Sequence, residues 1–322
     1  MKEGMRSTDL LLPMVPACLL NCREMASPIK TWLQDGDFEF DLASSSSTTP
    51  VIRNATRSFE PTLAREVDRF LCAMGESFAE LQPSRFASRS ISWALIRAYY
   101  AAYFAAHALL RMTGRCITQI DGALSNSMMR SLQATGPAPK WQIGTAQYLI
   151  RYDEGQQLLL FDDKHNAKGG SHQFVWKKFG ELLNELIDSS KTLGAVYQAE
   201  ILLFERMTET LTSQQRIPDH SWLSSIRNSV NYGFAHSVWF PFEGMDSRHS
   251  NRLVNLLECK SSQDSFISES RDQSELEKFC EAASFLVSFA NSAANTIVRR
   301  SDSRPFLSRS FMKLQRLLNW PQ

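Results

Sequence analysis

The segment that most restricts the fold of this chain is the alanine-rich stretch from Phe86 to Met112. Large apolar residues and alanines recur there every three or four positions, which is the spacing of one helix face. This face carries Leu95, Tyr99, Ala102, Ala106 and Leu109, and a second stripe carries Arg97, Tyr100, Phe104, His107 and Arg111. Because alanine side chains are small, a neighbouring helix can approach closely, and Gly114 suits a C-terminal cap. The stretch predicts a long helix inside a tightly packed bundle.

Helical spacing also dominates the rest of the chain. Helices are predicted from about Pro61 to Leu81, in two stretches between Ser171 and Pro218, from Ser221 to Gly233, and around Leu253 to Leu257. A last long helix begins with Ser274-x-x-Glu277, the pattern of a capping box. We therefore expect a mainly α protein, with residues 58–115 and 171–300 forming the helical bundle.

One internal segment departs from helical spacing. The apolar runs Tyr148–Tyr152 and Gln157–Phe161 flank Asp153-Glu154-Gly155, which is the layout of a β-hairpin. We expect residues 116–170 to be an insertion that contains this small hairpin.

The two ends of the chain are predicted to lie outside the bundle. Residues 1–57 contain prolines and a Ser/Thr-rich run before Pro50, which indicates a flexible N-terminal arm. Residues 301–322 form a basic C-terminal tail, because the stretch from 299 to 316 contains six Lys or Arg residues and a single acidic residue, Asp302. Such a tail is either a solvated or partner-facing segment or an electrostatic contact for nucleic-acid phosphates.

Composition limits the partners and the compartment. The 35 Lys+Arg and 34 Asp+Glu residues give a net charge of +1, so no global field attracts nucleic acid or an anionic membrane. No apolar run reaches the roughly 18 to 20 residues needed to span a bilayer, so we expect no membrane association. Six scattered cysteines without a C-x-x-C pair are typical of reduced core thiols in a cytoplasmic protein.

The common catalytic and cofactor motifs are absent from the sequence. It has no G-x-x-x-x-G-K-[ST], G-x-G-x-x-G, H-E-x-x-H or G-x-S-x-G motif, so we expect no cofactor and no metal site of the common types. The six histidines lack metal-ligand spacing, and His165 and His172, which flank Gly169-Gly170, are predicted to be loop residues. One weak alternative is a Mg²⁺-dependent nuclease site in which Asp153 and Asp162 bind the ion and Lys164 steadies the attacking water.

Two segments carry a resemblance to a known family. Residues 96–111, Ile-Arg-Ala-Tyr-Tyr-Ala-Ala-Tyr-Phe-Ala-Ala-His-Ala-Leu-Leu-Arg, resemble the Tyr-Tyr-Ala-Ala helix of HEPN proteins, the higher eukaryotes and prokaryotes nucleotide-binding family. Residues 221–232 resemble the Arg-Asn/His/Asp motif on a later helix of that family. The resemblance implies an up-and-down bundle that commonly dimerises. In catalytic members an Arg-x₄₋₆-His motif forms a metal-independent endoribonuclease site where two protomers meet.

The resemblance also implies roles for particular residues. Arg227 corresponds to the phosphate-binding arginine, and Asn228 to the residue that orients it. The positions expected for the histidine hold Tyr232, Gly233 and Phe234, so His236 is the first imidazole available as general acid/base. Candidate substrate-binding residues are Asn231, Tyr232, His107 and Tyr100, and His107 is also a second candidate imidazole.

The leading functional expectation is a HEPN-like effector or toxin of a bacterial defence or toxin–antitoxin module. RNA is the expected substrate because the chemistry uses the 2′-hydroxyl, and the expected partner is a second copy or another protein of the module. A catalytically silent HEPN-like subunit that binds a protein or nucleic acid is the alternative. In that reading Arg227 and Asn231, four apart on one helix face, satisfy buried carbonyl and hydroxyl groups.

Overall fold

The structure is a computed structural model of the 322-residue chain. It describes residues 7–36, 38–43, 45, 49–54, 58–79, 81, 91–135, 142–165, 171–212, 219–233, 235–239, 247–257, 273–301, 305–318 and 320. The expected helix start at Phe86, the Gly169-Gly170 loop and Cys259 lie outside these residues.

Helices account for most of the described residues, and the strands form one sheet. The helices are α1 Ser7–Leu11, α2 Ala17–Asn21, α3 Ile29–Asp35, α4 Glu60–Ala79, α5 Ser92–Met112, α6 Gly122–Thr135, α7 Ser171–Leu193, α8 Gln198–Thr212, α9 Trp222–Asn231, α10 Ser247–Leu256, α11 Glu275–Arg300 and α12 Phe311–Leu317. The strands are β1 Phe38–Phe40, β2 Val51–Asn54, β3 Arg115–Ile120, β4 Ala146–Asp153 and β5 Leu158–His165.

Helix α5 is the central element of the bundle. It packs against α4, α7, α9 and α11, and its alanines at 98, 101, 102, 105, 106 and 108 are fully buried. Small side chains on most of its circumference let several helices approach its backbone at once. The helix ends where predicted, because Gly114 adopts the left-handed conformation with φ 73° directly after it. The capping box at Ser274 and Glu277 is also confirmed.

The predicted hairpin belongs to a larger sheet. Strands β4 and β5 pair as expected around the turn at 154–157, but the antiparallel sheet has five strands in the order β1-β2-β5-β4-β3. Strand β3 and helix α6 come from the same insertion, whereas β1 and β2 come from the N-terminal segment. A two-stranded hairpin is marginal alone, and the added strands bury its apolar residues.

The expectation of a flexible N-terminal arm is wrong for the described residues before 58. Helix α1 packs on α11, α2 on α4 and α11, and α3 on α4 and α6. Leu19, Trp32 and Ile52 are at most 1% exposed. The prolines that favoured a loose arm instead precede short helices, since Pro16 and Pro28 stand at the N-caps of α2 and α3. Apolar side chains spaced for burial outweighed the turn-forming residues.

The basic tail is also packed where it is described. Phe306 and Phe311 are fully buried, and Asp68 of α4 accepts hydrogen bonds from the Ser310 hydroxyl and the Phe311 N–H. Arg309 and Lys313 remain exposed. The tail is therefore an amphipathic element that covers α4 and presents its charges outward.

The described helices and cysteines can be compared with the expectations about membrane spans and reduced thiols. None of those helices combines the length and apolar character needed to cross a bilayer. The described cysteines are free thiols, and Cys18, Cys116 and Cys280 are buried.

Candidate functional site

Helix α9 positions the candidate arginine. Trp222, Leu223, Ile226 and Val230 are buried and fix the face of this helix that turns toward the bundle. Arg227 lies next to that face, so its side chain enters the packing and is only 8% exposed. A cation is therefore held mostly out of water between α9 and α5.

Two tyrosines of α5 surround the guanidinium. Its central carbon lies 5.0 Å from the ring centroid of Tyr99 and 5.8 Å from that of Tyr100, within the range of cation–π contact. The Nε atom of Arg227 is buried and has no hydrogen-bond partner within the part of the chain that the structure describes. Buried donors in folded proteins are almost always paired, so an unpaired one is an exception that calls for a partner. This N–H can donate a hydrogen bond to an acceptor that binds from outside the chain.

A histidine that the sequence pattern assigned to a loop lies beside this arginine. His172 stands in the first turn of α7, and its Nδ1 is 2.6 Å from the Tyr99 hydroxyl oxygen. Its ring stacks on Tyr103 with the centroids 4.3 Å apart. Tyr99 thus contacts both the imidazole of His172 and the guanidinium of Arg227, and its ring lies between α7 and α9.

The Tyr99 hydroxyl has three neutral hydrogen-bond partners in addition to the Arg227 side chain. It donates to Ser224 Oγ at 3.2 Å and accepts from the Trp176 indole N–H at 3.3 Å. The same hydroxyl oxygen lies 2.6 Å from His172 Nδ1, a hydrogen bond in which either group can supply the proton. In the tautomer that carries its proton on Nδ1, the second ring nitrogen of His172, Nε2, has a free lone pair and can accept a proton.

The surroundings of His172 keep it neutral. Burial of the ring and the positive charge of Arg227 lower the pKa of His172 to about 4. Burial likewise raises the pKa of Tyr99, so its hydroxyl keeps its proton. At neutral pH the site therefore combines one buried cation, a neutral imidazole and a neutral phenol.

The structure does not bring His236 to Arg227. His236 follows α9 in a left-handed conformation with φ 67°, and its Nε2 lies 3.3 Å from the Ser229 hydroxyl and 3.9 Å from a Glu275 carboxylate oxygen. Ser229 is two residues beyond Arg227, which is about 200° around a helix. His236 therefore packs against the opposite side of α9, and the imidazole next to the arginine is His172.

The other predicted residues of α9 and α5 are distributed around Arg227. Asn231 is half-buried one turn further along the same side of α9, whereas Asn228 points about 100° away and is exposed. Tyr232 is 71% exposed after the last turn. Tyr100 is half-buried and contacts the guanidinium, so Tyr100 and Asn231 are the predicted substrate residues that border it.

His107 lies in a buried network next to the Tyr103 ring, which also stacks on His172. Its Nδ1 lies 2.7 Å from Nη1 of Arg111, and its ring stacks on Phe70 at 4.4 Å. Arg111 in turn donates to the Glu66 carboxylate, which is fully buried. Burial and the charge of Arg111 hold the pKa of His107 well below its ordinary value. This packing leaves His107 no access to a substrate, which corrects its assignment as a binding residue.

The geometry also contradicts the magnesium-nuclease alternative. Asp153 pairs with Leu158 across the hairpin, and Asp162 lies four residues further along β5, a separation of roughly 13 Å. Asp162 is the extra residue of a β-bulge and forms an ion pair with Arg151 at 2.6 Å. The two carboxylates therefore cannot share one ion.

One other group of side chains has the composition of a metal site. Ligand atoms of Cys18, Glu60 and Glu154 lie within 4.8 Å of one another. Both Glu154 oxygens already accept backbone N–H groups, from Ala17 at 2.7 Å and Cys18 at 2.6 Å. Burial and the Glu154 charge raise the pKa of the Cys18 thiol.

No protein-family model, no curated protein and no solved structure matches the chain.

Proposed function

We propose that this chain is a HEPN-like effector of a bacterial defence or toxin–antitoxin module and cleaves RNA without a metal ion. The observation that carries the proposal is the buried Arg227 guanidinium, whose Nε–H has no partner within the described residues and which shares Tyr99 with the neutral His172. An arginine and an imidazole around one phosphate are the groups that such cleavage requires.

The proposed reaction uses the two side chains in sequence. Arg227 binds the scissile phosphate and stabilises the charge that develops on its oxygens. His172 accepts the proton of the 2′-hydroxyl at Nε2 while the 2′-oxygen forms a bond to phosphorus. The bond to the 5′-oxygen breaks, and the imidazolium returns the proton to that oxygen. The products are a 2′,3′-cyclic phosphate and a 5′-hydroxyl.

The low pKa of His172 is compatible with this cycle. In the free protein, burial and the neighbouring cation hold the imidazole neutral, which is the state that a general base needs. A phosphate bound to Arg227 offsets that cation, so the pKa of His172 rises when substrate is present. The protonated imidazole is then stable enough to act as the acid.

The test is cleavage of a structured RNA by the purified full chain in EDTA. Arg227→Ala and His172→Ala should each lower the rate about 100-fold or more, whereas His236→Ala should change it little, since His236 lies on the other side of α9. The 3′ ends should carry cyclic phosphate. Cleavage that depends on His236 and not on His172 would contradict this assignment of the imidazole.

A catalytically silent HEPN-like subunit is the second candidate. It is favoured by the burial of Arg227, which is only 8% exposed and lies against the Tyr99 ring. In this role the guanidinium holds α9 to α5. Inert RNA, together with a lower melting temperature for Arg227→Ala, would favour this function over the nuclease.

A further inference from the structure

Two tryptophans form an exposed aromatic surface near Arg227. Trp93 in the first turn of α5 is 52% exposed, an unusual position for the largest apolar side chain. Trp239 packs edge-on against it, with the ring centroids 5.6 Å apart. We call Trp93 and Trp239 the tryptophan pair.

The tryptophan pair is held in a fixed orientation. The indole N–H of Trp239 donates to the carbonyl oxygen of Val230 at 2.6 Å, near the end of α9. The pair therefore joins the end of α9 to the start of α5, and Trp93 projects from a regular helix. A rigid aromatic surface loses little conformational entropy when a ligand binds.

One stripe of α5 connects the pair to the candidate site. Trp93, Arg97 and Tyr100 are spaced i, i+4 and i+7 and lie on the same side of the helix. Trp93 and Tyr100 are about 10 Å apart along the helix axis. Tyr100 contacts the guanidinium of Arg227, so the stripe leads from an exposed indole to a buried cation.

The charge of the two helices suits a polyanion. On the stripe side α5 carries Arg97, α9 carries Arg227, and neither helix contains Asp or Glu. The side chains that these helices present around the stripe therefore add no carboxylate that would repel a phosphate. An indole face beside guanidinium groups is the combination that binds single-stranded nucleic acids through base stacking and phosphate contacts.

We infer that the tryptophan pair is a stacking site for an unpaired base of single-stranded RNA, adjacent to the nucleotide whose phosphate binds Arg227. The inference rests on the proposed function for the identity of the polymer. A base within a duplex is already stacked on both sides, so the surface selects single strands. Trp93 supplies the ring that the base contacts, and Trp239 positions that ring.

The experiment measures RNA binding apart from cleavage. The full chain carrying Arg227→Lys is titrated into a labelled single-stranded RNA in EDTA, with and without changes at Trp93, and binding is followed by fluorescence anisotropy. Trp93→Leu should weaken binding about five-fold or more, because stacking on an aromatic ring is lost, and Trp93→Phe should retain most of the affinity. Leu202→Ala, which removes another half-exposed apolar side chain, is the matched control and should have no effect.

Two further ligands separate stacking from charge. A duplex of the same sequence and a strand of equal length with abasic positions should both bind more weakly than the single strand and respond little to Trp93→Leu. Equal binding of the duplex, an unchanged affinity of Trp93→Leu, or no binding at all would overturn the inference. A change in solution mass in Trp93→Leu without a change in RNA affinity would identify the surface as a contact between copies.

The outcomes also separate this inference from the proposed function. If the wild-type chain cleaves RNA and substitution of Trp93 has no effect, the stacking site is refuted and the nuclease proposal stands. If RNA binding depends on Trp93 but no RNA is cleaved, the stacking site stands and the nuclease proposal is refuted.

Discussion

The hydroxyl oxygen of Tyr99 lies 2.6 Å from Nδ1 of His172, although the two residues come from different helices of the bundle. The same tyrosine ring supports the Arg227 guanidinium at 5.0 Å. Tyr99 therefore fixes the position of the imidazole relative to the cation. Hydrogen-bond partners of this kind commonly orient functional histidines.

Tyr99→Phe isolates that hydrogen bond. The substitution keeps the ring against Arg227 but leaves His172 Nδ1, the Ser224 hydroxyl and the Trp176 indole N–H without their shared partner. We expect the free energy of unfolding to fall by about 1–3 kcal/mol, because buried polar groups become unpaired. Urea unfolding measures this loss.

Its matched control is Tyr148→Phe, which removes a tyrosine hydroxyl that accepts a single hydrogen bond, from the Gly144 N–H. A smaller loss is expected there. If Tyr99→Phe were as stable as the wild type, the three-partner network around the hydroxyl would be wrong.

The depressed pKa of His172 makes stability depend on pH. An unfolded histidine titrates near 6.5, whereas the folded pKa is about 4, so the unfolded chain binds more protons between these values. The contribution of His172 is fully present above pH 6.5 and is lost as the pH falls toward 4. His107, whose pKa is also lowered, adds a loss of the same sign.

The measurement is the free energy of unfolding from pH 7 to pH 4.5, compared between the wild type and His172→Gln. The variant should show a shallower decline. An NMR titration should assign to His172 an imidazole that stays neutral at pH 6, and a protonated ring at that pH would contradict the prediction.

The buried carboxylate of Glu66 should be essential for folding stability. Burial raises the pKa of Glu66, but the charges of Arg111 and Arg69 outweigh this effect and lower it overall. The carboxylate lies 3.0 Å from Arg111 Nε and 2.9 Å from Arg69 Nη2. Glu66→Gln leaves the buried Arg111 without a counter-charge, so we expect a loss of about 3–5 kcal/mol in urea unfolding.

Glu205→Gln is the comparison for that loss. Glu205 pairs with Lys191 at 3.4 Å on the surface, where both side chains are largely exposed. Exposed ion pairs contribute about 0–1 kcal/mol, so this variant should unfold almost like the wild type. Similar losses for the two variants would refute the special role of the buried carboxylate.

Gly180 of α7 should not tolerate a side chain. A Cβ at this position overlaps the imidazole ring of His220, which precedes α9 in a left-handed conformation with φ 60°. Alanine is favoured over glycine in a helix by about 1 kcal/mol, yet we expect Gly180→Ala to destabilise the chain by about 1–3 kcal/mol through this overlap.

The control is Gly122→Ala in α6, where the new Cβ meets only the Thr145 hydroxyl at 3.8 Å. Thermal unfolding of both variants makes the comparison. Because His220 leads into α9, Gly180→Ala should also lower RNA cleavage. A variant as stable as the wild type would show that the His220 ring can move away at no cost.

Local sequence signals predicted the individual elements well. The alanine pattern predicted the buried helix α5, and Gly114 predicted where that helix ends. Ser274 and Glu277 predicted the start of α11, and Asp153-Glu154-Gly155 predicted the turn of the β4–β5 hairpin. Each of these features depends on residues within a few positions of one another.

The errors concern segments whose structure depends on distant partners. The N-terminal residues read as a loose arm because prolines and serines dominate their local pattern, but β2 pairs with β5, far along the chain. His172 was assigned to a loop by its neighbouring glycines. The signal that could have found it is the helical spacing of Phe174, Phe179 and Leu182, which predicts a helix beginning at Ser171.

The sequence by itself determined the bundle helices α4, α5, α7, α8, α9 and α11 and placed the candidate Arg227 on α9, because helix periodicity and capping are local properties. Only the tertiary structure decided which imidazole faces that arginine. The packing of α7 and α9 on α5 brings His172 to Tyr99, whereas the turn after α9 directs His236 to the other side. Contacts between distant segments arise from the burial of whole helix faces, which no local pattern records.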